Sequence, residues 1–260
     1  MTTEALAAAE SLVRASKPKE ALAQLTAAVK AAPAKVELRI FMAQLLCVLG
    51  QWERAHTQLN VIADMQSDAG PMREMVGHAL RCELIRKAVF EGKRSPMIFG
   101  QPEQWLALLI ESLITGNNDL ATKAFDEAPT RSGQINGERF EWLADADSRL
   151  GPVLEAMVNG RYYWVPFASL SKVLMEPPVD LRDRVWLPAT LHFANGGEAI
   201  AMIPVRYAGT ESQDDGQLLM AAKTEWREIG PERFAGYGQR VLVTDQGDHD
   251  LLNVKLIEFD

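Results

Sequence analysis

Thiols are scarce in this chain, since Cys47 and Cys82 are the only cysteines among 260 residues. Each sits in an apolar, helix-like stretch, so the pair offers neither a disulfide framework nor metal-ligand spacing, and a reducing cytoplasm is the expected compartment. Histidines are nearly as few. His56, His78, His192 and His249 include no pair at the one-turn spacing that seats zinc on a helix, and no metal or cofactor is expected. No apolar run approaches the roughly eighteen residues that cross a bilayer, and Met1-Thr-Thr-Glu4 lacks a basic segment leading into a hydrophobic core. Membrane insertion and secretion are therefore not expected.

Positive charge is also in deficit. Lys and Arg number 27 against 35 Asp and Glu, a net charge of −8 that argues against general affinity for nucleic-acid phosphates or anionic lipid. Several catalytic signatures are missing. There is no Gly-x-Ser-x-Gly elbow and no glycine-lysine-serine or glycine-lysine-threonine triplet. Gly236-Tyr-Gly238 fails the dinucleotide fingerprint because Val241 stands at the third glycine. Cys47 lies among Leu45, Leu46, Val48 and Leu49, which suits a buried inert thiol rather than a nucleophile. Asp245, Asp248, His249 and Asp250 cluster as a cation site would, but also as the polar tip of a hairpin would. A carboxylate-pair hydrolase stays open, because any acidic chain supplies candidate pairs.

What is present is an ordinary globular composition, 47% hydrophobic and 24% charged. The charge is uneven. Residues 1–130 carry 14 basic and 15 acidic side chains, whereas residues 131–260 carry 13 and 20.

The first seventy residues contain a repeat. Ala21, Leu25 and Ala28 recur 34 positions later as Ala55, Leu59 and Ile62, and Leu12 recurs as Leu46. Thirty-four is the tetratricopeptide period, in which paired helices pack through small residues, and Pro33 sits where such a pair stops. Helices are expected at about 3–15, 18–31, 35–49 and 51–66, with Lys17-Pro18 and Gly50 at the turns. A further helix is expected at about 71–91. A looser third pair runs from Pro102 through Trp105, Leu106, Leu109, Leu113 and Ile114, turns at Gly116-Asn117-Asn118-Asp119, and continues over 120–128.

Residues 130–137 are turn formers without helical period, which places a domain boundary after residue 130. One more helix is expected at about 138–158, broken at Gly151-Pro152. Beyond Gly160 the pattern is that of strands. Runs 185–193 and 198–205 flank Asn195-Gly196-Gly197, a strong hairpin signal, and a second hairpin is expected with 240–244 and 251–259 flanking 245–249. The fold class is thus a helical-repeat domain, 1–130, followed by an α+β domain with antiparallel hairpins, 131–260.

Two groups of residues are candidates for binding a protein. On the helix at 71–91, Arg73, Arg81, Arg86 and Lys87 could form a basic face that steers an acidic partner, although solvation alone commonly places charges there. Reversing the charge of Arg81 and Arg86 is then expected to weaken binding and spare folding. In the second half, Tyr162, Tyr163, Trp164, Phe167 and Trp186 could anchor an interface, or could pack the core as aromatics on strands usually do. Arg182, Asp183, Arg184, Arg206 and Arg240 could recognise carboxylates or phosphates, or pair internally.

Six ordered blocks carry a family likeness: Arg161-Tyr-Tyr-Trp-Val-Pro-Phe167, Glu176-Pro177, Leu181-Arg-Asp-Arg-Val-Trp-Leu-Pro-Ala189, Ile203-Pro-Val-Arg-Tyr207, Thr224-Glu-Trp226 and Gly236-Tyr-Gly-Gln-Arg240. Together they resemble the ImpE family, also called TagJ or SciE. Glu225 departs from the aspartate expected in its block. The resemblance implies a non-enzymatic accessory adaptor of the type VI secretion system, a contractile, phage-tail-like machine of Gram-negative bacteria. Some members associate with a helix of the small sheath subunit and, through it, with the AAA+ ATPase that recycles contracted sheath. The alternative is a small-molecule-binding regulator or hydrolase with a pocket between the domains.

Overall fold

The computed structural model describes residues 2–260. Two helical hairpins open it, α1 (Thr2–Arg14) with α2 (Pro18–Ala31) and α3 (Val36–Val48) with α4 (Trp52–Met65). Pro18 begins α2 where its missing N–H costs nothing, and Gly50, at φ +64°, turns α3 into α4. The repeated small and apolar positions do the packing: Ala21 and Leu25 in α2, and Ala55, Leu59 and Ile62 in α4, are all buried. The long α5 (Gly70–Phe90) follows, then a looser hairpin of α6 (Gln104–Thr115) and α7 (Asn118–Glu127). Gly116 ends α6 in the left-handed conformation, and the Asn117 side chain caps α7 by accepting the Asp119 backbone N–H. No helix among the described residues is long and apolar enough to cross a membrane.

One short strand, β1 (Met97–Ile98), lies between α5 and α6. After α7 come β2 (Gly133–Ile135), β3 (Glu138–Phe140), β4 (Leu143–Asp145), β5 (Val153–Val158), β6 (Arg161–Pro166), β7 (Leu170–Met175), β8 (Trp186–Phe193) and β9 (Glu198–Pro204). A single-turn helix, α8 (Gly216–Leu219), precedes β10 (Thr224–Gly230), β11 (Arg233–Gly238), β12 (Val241–Thr244), β13 (Gly247–Asp250) and β14 (Leu256–Phe259). The main sheet has nine strands in the order β1-β6-β5-β9-β8-β7-β14-β2-β3. A three-stranded sheet, β13-β12-β4, and the β10-β11 ribbon lie beside it. Asn195-Gly196-Gly197 joins β8 to β9 with Trp186 opposite Pro204 and His192 opposite Glu198. β1 pairs in parallel with β6, so the sheet takes its edge from the helical part of the chain.

Two sequence expectations are corrected here. The segment expected to be a helix at about 138–158 is three strands, β3, β4 and β5. In β5, Val153 and Met157 join the core shared with the helices, while Leu154, Ala156 and Val158 join a second core on the other face. Period two is therefore present, but both faces are covered, so the run reads as continuously apolar. The second correction concerns the last hairpin. β12 turns tightly through Asp245-Gln246 into β13, with Thr244 opposite Gly247, and β14 pairs instead with β7 and β2. A two-residue turn closes a hairpin sooner than the longer loop expected.

The first core cluster runs from Leu25 and Leu46 in the hairpins through Leu80 in α5 to Met157, Trp164, Trp186 and Tyr207 of the sheet region. Close approach at its far end demands glycine. A Cβ on Gly236 would lie 2.3 Å from the Tyr207 ring carbons Cδ2 and Cε2. Tyr207 cannot retreat freely, because its hydroxyl bonds Asp145 Oδ1 at 3.0 Å and accepts the Val241 N–H at 3.0 Å. Gly236→Ala is expected to destabilise the fold by about 1–3 kcal/mol, read as a lower urea midpoint with unchanged slope.

Candidate functional site

At the seam between α5 and the sheet lies a sealed network of charged groups. Glu155, central in β5 and wholly buried, receives a two-pronged contact from Arg86 of α5, Nε to Oε1 at 2.6 Å and Nη2 to Oε2 at 2.9 Å. Arg240 bonds the same carboxylate through Nη2, and its Nη1 reaches Asp145 Oδ2 at 2.7 Å. Tyr162 donates to Glu155, and Trp164 Nε1 donates to the Tyr162 oxygen at 2.8 Å. On the other side, Glu83 lies 3.5 Å from Arg86 and accepts Trp186 Nε1 at 2.8 Å. Arg206 finds no carboxylate among the described residues. Its Nη1 instead donates to the carbonyls of Val48 at 2.5 Å and Leu219 at 2.7 Å, capping the end of α3.

The ionisation of the network follows from opposing effects. Burial pushes the Glu155 carboxyl up, but the guanidinium groups of Arg86 and Arg240, with hydrogen bonds from Arg86 and Tyr162, outweigh it and lower the pKa to about 2. Asp145 has one arginine rather than two. Burial dominates there, assisted by Asp147, and raises its pKa to about 7 against the pull of Arg240. Burial likewise pushes the Cys47 thiol up to about 12, which leaves it un-ionised and unreactive.

These contacts divide eight of the candidate binding residues. Arg86, Tyr162, Trp164 and Trp186 meet inside the seam, each at most 3% exposed, and present no surface to a partner. The expectation that Arg86 can be charge-reversed without harm to folding is thus overturned, since a carboxylate there would face Glu83 and Glu155. Tyr163 points to the opposite face of β6, half-buried, with its ring 5.1 Å from Phe99. Arg73, Arg81 and Lys87 are exposed on α5. The seam partners Glu155 and Asp145 went unrecognised in the sequence. A signal existed, a lone carboxylate within Val153-Leu-Glu-Ala-Met-Val158, but it carries meaning only once the run is known to be a strand covered on both faces.

Two openings accompany these elements. A groove of about 480 Å³ runs between α1, α2 and α3, lined by Glu4, Ala5, Gln24, Ala27, Ala28, Ala31, Ala32 and Leu38. A second cavity, of about 280 Å³, lies where the end of α7 meets the sheet region, between Phe125 and Pro129 on one side and Trp142, Ala144 and Pro152 on the other. Of the acidic cluster at 245–250, Asp245 accepts the Glu141 N–H at 2.8 Å, fastening the β12–β13 turn to the end of β3.

Comparison with known proteins agrees with both parts of the chain. Residues 137–258 match the family model described as ImpE protein, and residues 12–73 match a tetratricopeptide repeat model. The chain is 44% identical over 259 residues to the type VI secretion system accessory component TagJ of Pseudomonas aeruginosa, covering 97% of this chain and 91% of that protein. An X-ray crystal structure of a Vibrio parahaemolyticus protein superposes with a TM-score of 0.89 over 97% of each chain, at 21% identity, which shows the shared fold.

Removing the central carboxylate tests the seam. Glu155→Gln leaves Arg86 and Arg240 without their shared counter-charge and is expected to cost about 3–5 kcal/mol in urea unfolding at neutral pH. The folded pKa is depressed from 4.5 to about 2, so the stabilisation is present above the unfolded value and is lost as pH falls through the folded one. The gap between wild type and variant should accordingly be full above pH 4.5 and shrink on approach to pH 2 in an unfolding series.

Proposed function

The chain belongs to the ImpE family, and from that membership we propose that it is an accessory component of a type VI secretion system that acts in the cytoplasm by binding a protein rather than by catalysis. The near full-length identity to TagJ carries the reading. The repeat hairpins supply the docking surface. Alanines at 5, 27, 28, 31 and 32 line the groove between α1, α2 and α3, and small side chains let a partner helix approach closely. The partner is the small sheath subunit, engaged through a helix, and the link runs through it to the AAA+ ATPase that recycles sheath. Arg73, Arg81 and Lys87, exposed on α5, steer an acidic segment of that partner.

The buried ion pairs support binding over chemistry. Glu155 and Arg240 are closed inside the fold as partners of one another, where a substrate cannot reach them. A second reading, a small-molecule-binding regulator or hydrolase, is favoured by the cavity beside Phe125 and Trp142, which lies between the helical array and the sheet region and is mostly apolar.

Calorimetric titration with purified small sheath subunit separates these readings. Ala28→Arg, combined with Arg73→Glu and Arg81→Glu, should weaken binding at least about tenfold while the melting transition stays cooperative. Unchanged affinity would move docking off the helical array, and no binding by the wild type would favour the ligand-binding reading.

A further inference from the structure

A smaller cavity, of about 170 Å³, sits at the corner where the α6–α7 turn meets the β10-β11 ribbon. Its polar lining is Ser112, Asn118, Arg149 and Arg233, and its apolar walls are Leu109, Leu113 and Ile229. Two guanidinium groups thus face one small space whose described lining contains no carboxylate. This is an unusual placement in a chain of net charge −8, most of whose excess acid lies in the same half.

The two arginines differ in their compensation. Arg149 pairs with Asp147 through Nε and Nη2, and its guanidinium lies 4.9 Å from the centre of the Phe90 ring. Its Nη1 hydrogen-bonds to no described residue. Arg233 has only neutral partners, the Asn118 side chain at 2.6 Å and the Ser148 carbonyl at 2.8 Å, and its buried Nε has none. Burial lowers the pKa of Arg233, opposed only by the charge of Asp147. One carboxylate therefore serves two cations, and the corner retains a positive charge partly withdrawn from water. Ser112 adds an independent sign. It is only 3% exposed and lines the cavity, which places a hydroxyl-bearing side chain in its wall.

The corner is also held firmly. A Cβ on Gly230 would lie 2.2 Å from Asn118 Nδ2, so glycine permits the end of β10 to press against the start of α7. A site built this closely keeps its donors in place before an occupant arrives.

We propose that this cavity binds a carboxylate carried on a short apolar stem, with the anion received by Arg149 Nη1 and the Ser112 hydroxyl beside the charge of Arg233. The stem lies among Leu109, Leu113 and Ile229. Those apolar walls disfavour phosphate, whose oxygens need polar partners on all sides, and the volume admits a few carbons but no nucleotide. The carboxylate can come from a free small acid or from the end of a peptide chain. The proposal is independent of the adaptor reading, since it concerns a different face from the repeat groove.

The test uses the full-length protein labelled with ¹⁵N-arginine, following the Nε–H resonances of Arg149 and Arg233 during titration with sodium butyrate. Butyrate should shift both saturably, while butyramide, chloride and inorganic phosphate at matched ionic strength should not. Ser112→Leu, which fills the cavity and keeps both arginines, should weaken the response at least tenfold. Arg233→Gln should do the same, and circular dichroism verifies that each variant is folded. Acetyl-alanyl-alanine binding more tightly than butyrate, with its amide inert, would support the site and assign the carboxylate to a chain end. Tighter binding of butyrate would support it and assign a free acid. Absence of any carboxylate-induced shift in the wild type, or equal shifts with chloride or phosphate, would overturn the proposal.

Discussion

The Glu155 carboxylate shared by Arg86 and Arg240 is the interaction on which the architecture turns. Charges taken wholly out of water are tolerated only where partners and hydrogen bonds replace the lost hydration, and here one carboxylate is met by two guanidinium groups and a phenol. Apolar packing alone would allow α5 to slide or rotate on the sheet at modest cost. The ion cluster removes that freedom, because any shift of Arg86 by one helical position strands at least one buried charge. Arg206 does the same for the second hairpin by meeting the carbonyls of Val48 and Cys47 at the end of α3.

The helical array and the sheet are joined by a shared apolar core, a buried ionic cluster and a helix cap, and even the edge strand β1 is drawn from the helical part. The two parts are thus packed and paired as one body, with no separate core for the helical array.

The residues that identify the family serve the joint more than any exposed site. Tyr162, Trp164, Trp186, Arg206, Tyr207 and Arg240 come from four separate blocks, and all end in or beside the buried network. Their chemistry, aromatic rings and planar cations, is the chemistry of recognition surfaces. Burial turns it inward. The surface features are plainer by contrast, with alanines lining a groove, exposed basic side chains on α5, and one corner whose two arginines share a single acid.

The sequence by itself determined the local elements. The 34-residue spacing located the first two hairpins, the proline and glycine punctuation located their turns, and Asn-Gly-Gly located the β8–β9 hairpin, because each signal acts through neighbouring backbone alone. The ordered blocks of the second half also identified the family. What only the tertiary structure decided was which side of the surface each residue occupies. Val153–Val158 looks helical or extended until both of its faces are seen to be covered, and Arg86 is indistinguishable from Arg81 along α5 until Glu155 arrives from 69 residues away. Burial, ionic pairing and strand partnership are properties of contacts between distant segments, and no local pattern encodes the distance at which they close.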